Sequence, residues 1–140
     1  SLDVVTLWHV MEHIQNLDSF WDELYRIIDD TGIAVIALPN CNSYDARKYK
    51  ENWAAYDVPR HLWHFTPETV MHWGERHGFI LERQMTMPFD GFYISMLSER
   101  YKGSSVPGVR GLWTGLKGWF ATGTRRNASS SIIYVFRKKR

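Results

Sequence analysis

Three residues near the start of the chain, His9, Glu12 and His13, spell H-x-x-E-H. On one helix that pattern is a zinc-hydrolase signature, with both imidazoles on a common face. The residues in front of it argue against such a helix. Asp3 to Trp8 is a continuous β-branched and apolar run, of the kind that a strand buried on both faces produces. His9 then falls where the strand stops. A fresh N-cap at Asp18, after Gln15-Asn16, leaves about one helical turn for the motif, too short for a metal-binding helix. The expectation is no metal at this motif. His9 should instead lie at the carboxyl end of a parallel strand, where open α/β sheets bind their ligands.

The elements that position these residues follow in a regular order. Asp18 reads as the cap of a helix with apolar residues at 20, 21, 24, 27 and 28 and Gly32 just past its end. Ile33 to Leu38 is a second two-sided apolar strand, ending at Pro39-Asn40. Strand, helix and strand make a βαβ unit, so the sheet should be largely parallel. Residues 40 to 65 fit neither period and read as a long functional loop with a short helix near 43 to 50. Thr66-Pro67-Glu68 starts a helix that runs to His77 before Gly78. Phe79 to Met87 and Ile132 to Phe136 read as strands, Gly91 to Tyr101 as a helix, and "GSSVPGVRG" (103 to 111) as a linker.

Composition sets the class. A chain of 140 residues, 44% hydrophobic and 15% aromatic, suffices for one cored domain. The longest apolar run falls far short of the roughly 20 residues that cross a bilayer, and no charged-then-apolar leader opens the chain. One cysteine, Cys41, makes neither an internal disulfide nor a thiolate zinc cluster. A cytoplasmic location is the expectation. The net charge of +2 conceals an uneven distribution: residues 1 to 99 hold all 15 acids and 7 of 17 Lys and Arg, net −8. Residues 100 to 140 hold the other 10 bases and no acid, net +10. Such a tail attracts phosphate, anionic lipid or nucleic acid, or pairs with the acidic part of its own chain.

Taken together, "DVVTLWHVMEHI", "LDSFWDELYRIIDDTGIAVIALPN", "YDVPRHLWHFTPETV" and the following "GF" resemble the second half of a class I S-adenosylmethionine-dependent methyltransferase. The resemblance is to the broad group that includes the ubiquinone-biosynthesis O-methyltransferases, and it covers residues 3 to about 100. It implies an α/β fold, a partial Rossmann-like sheet made of strands four to seven with the last antiparallel, and flanking helices. The whole chain would be the C-terminal part of one methyltransferase domain. The family's Gly-rich turn and acidic strand end, which hold the methionine part and the ribose of the cofactor, have no counterpart here, and no G-x-G occurs. The chain reads as a fragment whose first strand has an open apolar edge, so a homo-oligomer is expected.

The resemblance also implies roles. Trp8, His9 and Val10 would line the methionine and sulfonium end of S-adenosylmethionine, an aromatic face beside a sulfonium being favourable as it is for other cations; ordinary core packing is the alternative for Trp8. Glu12 and His13 either fix the turn as a local pair or bring His13 to the acceptor. Methyl transfer from a sulfonium is an in-line displacement, so the protein aligns the nucleophile, excludes water and removes a proton from a hydroxyl. Within "WAAYDVPRHLWHF" (53 to 65), His61 and His64 are the candidates for that last task. Arg60, with Tyr56 and Asp57, would bind the acceptor; alternatively Asp57 and Arg60 pin the loop as an ion pair and the histidines cap the next helix.

"LWTGLKGWFATGTRR" forms the third feature. Leu112, Trp113, Leu116, Trp119 and Phe120 share one apolar face, with Lys117, Arg110, Arg125 and Arg126 around it. Residues 103 to 130 read as a basic, Trp-containing insertion or lid, and 106 to 126 as a candidate peripheral membrane contact. The reading as a whole is methyl transfer to a small or lipid-linked acceptor at oxygen, with no nucleic-acid partner. A non-catalytic truncated binding module is the alternative, and the zinc hydrolase a more distant one.

Overall fold

The computed structural model describes residues 1–87, 89–124 and 126–139. Four strands form one sheet: β1 (Leu2–Trp8), β2 (Ile28–Pro39), β3 (Phe79–Thr86) and β4 (Ser131–Lys138), in the spatial order β1-β2-β4-β3. β1 and β2 are parallel, with Val4 opposite Ile33 and Trp8 opposite Ala37. β4 slots between β2 and β3 and runs antiparallel to both. The last strand is thus antiparallel as the resemblance implied, but the expectation of a largely parallel sheet does not hold. One inserted strand turns two of the three pairings antiparallel.

β1 differs from expectation in its surroundings. It is the edge strand, and Leu2, Val4 and Trp8 are exposed. An apolar run reports the environment a strand is suited to, and among the described residues nothing pairs with its outer edge. The central strands β2 and β4 carry the burial instead. Ile36, Leu38, Ile132, Tyr134 and Phe136 pack beneath helices α1 (Leu17–Ile27) and α3 (Pro67–Arg76), around a fully buried Trp21.

Local chemistry explains the boundaries. α1 is capped by Asn16, whose side chain accepts from the Ser19 N–H at 3.0 Å, so the cap lies two residues before Asp18. The helix also ends earlier than expected, at Ile27. Gly32 lies inside β2, where a Cβ would stand 2.8 Å from the Leu2 carbonyl oxygen. That glycine admits a neighbouring strand; it does not stop a helix. α3 matches expectation: Thr66 forms a capping box with Thr69, Pro67 opens the helix, and Gly78 follows with φ +82. In the loop after β2, the short helix α2 (Tyr44–Tyr49) is capped by Ser43 and leads to a second small core of Tyr49, Trp53 and Ile94.

The stretch expected as a linker is mostly helix. Only residues 102 to 106 connect α4 (Asp90–Tyr101) to α5 (Pro107–Thr124). Pro107 starts α5, and Gly111 lies within it, so residues that punctuate a loop here serve a helix start and a close helix contact. Among the described residues no helix is long and apolar enough to cross a membrane.

Candidate functional site

At the carboxyl end of β1 the chain reverses. His9 adopts a left-handed backbone, φ 53, while its N–H still donates to the Ala37 carbonyl at 3.0 Å. The reversal feeds a single 3-10 turn, Met11–His13, which drives the Glu12 side chain wholly into the interior. The H-x-x-E-H residues therefore do not share a helical face, and the zinc-hydrolase arrangement is not formed.

The segment 60–63 is stitched onto this turn. Leu62 N–H donates to the Glu12 carbonyl at 2.8 Å, Trp63 Nε1–H to the Ile14 carbonyl at 2.7 Å, and His13 Nδ1–H to the Arg60 carbonyl at 2.9 Å. Asp57, in a left-handed conformation with φ 40, ends the 3-10 turn Ala54–Tyr56, and its carbonyl accepts from the His61 N–H. His61 is thereby turned inward. Its Nδ1–H donates to the Ala55 carbonyl at 2.8 Å, which leaves the lone pair on Nε2. That atom stands 3.8 Å from Asp57 Oδ2 and 3.9 Å from Glu12 Oε1.

Glu12 is the unusual member. Neither carboxylate oxygen has a well-aligned hydrogen-bond donor among the described residues, although His9 Nδ1 lies 3.3 Å from Oε1. Buried carboxylates without such partners are costly and cluster at functional sites. The proximity of Glu12, opposed by burial and reinforced by the Asp90 carboxylate 3.8 Å from Nε2, raises the His9 pKa above its ordinary value. One donor atom from each of Glu12, His13 and His61 lies within 4.8 Å of the others, a grouping that could hold a proton or a cation.

His61, with His9, faces a cleft of about 270 Å³, lined also by Asp57, Arg60, Asp90 and Tyr93, and Glu12 lies buried behind it. Arg60 pairs with Asp57 at 2.7 Å, at the exposed rim. His13 packs edge-on against the His61 ring. His64 is not gathered into the cleft: it packs edge-on against Tyr56, which in turn meets Trp53, and burial lowers its pKa. Trp8 and Val10 stand exposed at the open edge of β1, Trp8 by 52%, so Trp8 is not core within this chain. Sequence reasoning missed Asp90 and Tyr93 on α4. The one available signal was an acid opening a helix directly after a strand.

Comparison with known proteins follows the fold. The profile of a methyltransferase domain family matches residues 1–84. The chain belongs to this family. The methyltransferase domain's methyl donor, S-adenosylmethionine, is thus the cofactor to be fitted here. Solved structures agree in fold: the [4+2]-cyclase SpnF (TM-score 0.59, 12% identity, 99% of this chain and 50% of that one) and mycolic acid cyclopropane synthase CmaA1 complexed with SAH and CTAB (0.58, 12%, 98% and 55%). A third is phosphoethanolamine N-methyltransferase 2 of Haemonchus contortus, in complex with phosphomonomethylethanolamine and S-adenosylhomocysteine (0.55, 15%, 100% and 34%). The chain spans about half the length of the first two and a third of the last. No curated protein sequence matches it.

The residues present fit one wall of a cofactor site. Trp8 offers an exposed aromatic face at the strand end, and the carboxylates of Glu12 and Asp90 flank the adjoining His9, surroundings that suit a cationic sulfonium.

Proposed function

We propose that this methyltransferase domain transfers a methyl group to a hydroxyl of a small or lipid-linked acceptor seated in the cleft between His9 and His61. The observation that carries the reading is the His61 imidazole, held by its Nδ1–H to Ala55 with the Nε2 lone pair beside two carboxylates. When bound, S-adenosylmethionine supplies an electrophilic methyl on its sulfonium. Trp8, His9 and Val10 form the wall against that end of it. His61 Nε2 accepts the acceptor's proton, and Glu12 and Asp57 stabilise the imidazolium that results. Arg60, at the rim, orients an acidic or phosphorylated acceptor, and Tyr56 backs the loop that carries it. This chain contributes the acceptor side, and turnover requires the Gly-rich turn and acidic strand end of a complete domain.

In the complete enzyme, His61→Ala should lower kcat by roughly 10²- to 10⁴-fold while cofactor affinity stays unchanged. An unaltered rate removes His61 as the base. The grouping of Glu12, His13 and His61 favours a second reading, in which these three hold a divalent cation and His61 is a ligand. Stoichiometric metal that survives dialysis and disappears in His13→Gln would select it.

A further inference from the structure

Helix α5 is packed inside out. At 100° per residue, Val109, Leu112, Trp113, Leu116 and Phe120 occupy one arc, with Trp119 at its margin, while Gly111, Thr114, Gly115 and Gly118 occupy the opposite one. A helix ordinarily buries the bulky arc. Here Gly111, Thr114 and Gly115 are buried, and Val109, Trp113 and Phe120 are 71%, 59% and 67% exposed.

The small arc is chosen by its neighbour. A Cβ on Gly111 would stand 2.5 Å from the Met96 Cα, and one on Gly115 would stand 2.5 Å from the Phe92 ring, so α5 lies against α4 at a distance only glycine permits. The Thr114 hydroxyl donates to the Arg110 carbonyl and accepts from the Lys48 ammonium. With its small side committed, the helix cannot rotate to hide its aromatics. Leu112 and Trp119 are exposed as well, so the patch amounts to several hundred Å², at the upper end of what a monomer leaves uncovered.

Charge decides between occupants. Arg110 and Lys117 flank the apolar arc, the Lys117 ammonium lies 5.3 Å from the Trp113 ring centre, and residues 100 to 140 contain no acid. A second copy docking symmetrically would set these cations against themselves with no acid from this segment to balance them. Phosphate headgroups balance them, and tryptophan beside lysine is the composition of an interfacial helix. We propose that α5 docks on an anionic phospholipid surface, its bulky arc entering the acyl boundary while Arg110 and Lys117 reach the phosphates. The proposal stands apart from the choice of acceptor and from the role of His61.

The test is co-flotation of the chain with vesicles of phosphatidylcholine alone and of phosphatidylcholine mixed with phosphatidylglycerol. Binding should be confined to the anionic vesicles and weaken with salt, and the tryptophan emission should shift to the blue. The paired variant Arg110→Glu, Lys117→Glu should weaken it roughly tenfold or more, and Trp113→Ser, Phe120→Ser should abolish it, with circular dichroism unchanged because these residues are exposed. Equal binding to both vesicle types, or none, overturns the proposal. So does a dimer in sedimentation that Trp113→Ser dissolves while vesicles bind nothing, because the occupant is then a second copy.

Discussion

α1 and α5 are both amphipathic in sequence, yet they bury opposite kinds of face. α1 turns Leu17, Trp21 and Leu24 onto the sheet and leaves its charges outside. α5 turns glycines and a threonine onto α4 and leaves its aromatics outside. The difference lies in the neighbour. A sheet offers α1 a broad apolar floor of Ile36, Leu38 and Phe136, on which large side chains gain most. α4 offers α5 a helix with Phe92 and Met96 projecting toward it, and small residues are what close that gap. Hydrophobic periodicity locates a face, and the partner surface decides where that face goes.

The widest separation between the two helices should come from their tryptophans. Trp21→Ala removes a wholly buried ring that meets Phe79 and Phe136, and should cost about 3–5 kcal/mol in urea unfolding. Trp113→Ala should shift the same midpoint by no more than about 0.5 kcal/mol. Comparable losses would mean that α5 buries its aromatics after all.

Next in size is the small face. Gly115→Leu forces a side chain into the Phe92 ring and should destabilise by about 1–3 kcal/mol, whereas Gly123→Leu, with open space around it, should be close to neutral. Equal effects would remove close helix contact as the reason α5 is inverted. The α1 cap is a smaller term still. Asn16→Ala should cost about 1 kcal/mol and Asp18→Ala much less, reversing the order read from sequence.

The smallest expected effect belongs to the cleft and appears in its pH dependence. The folded chain holds a proton on His9 more tightly than an ordinary imidazole, because of Glu12 and Asp90. Its contribution to stability is thus fully present below about pH 6.5 and is lost as pH rises through the elevated folded value. Wild type should lose stability relative to His9→Gln between pH 6 and 8, about the range where imidazoles titrate. Parallel profiles would show that the Glu12 carboxylate is not coupled to His9.

Legibility followed the range of the forces. Capping at Thr66 and the helix start at Pro67 were visible because they act within a turn of the chain, and so was the two-sided run of β2. Gly32, Pro107 and Gly111 were misread because the same residue that breaks a helix also admits a strand or a neighbouring helix, and only the neighbour tells which. In the site, His61, Asp57 and Arg60 stood out as a polar cluster in an irregular stretch. His64, three residues away, looked equivalent but packs on Tyr56. Asp90 and Tyr93 gave only the signal of an acid opening a helix after a strand, because nothing near them in sequence shows that α4 closes the cleft.

The sequence by itself determined most of the elements, their order, the family and the histidines able to exchange a proton, because propensity, capping and side-chain chemistry are local. Only the tertiary structure decided that β4 separates β2 from β3, that Glu12 is buried beside His61, 49 positions along the chain, and that α5 faces outward. Those outcomes depend on which surfaces meet, and that depends on excluded volume and on charges brought close across long stretches of chain.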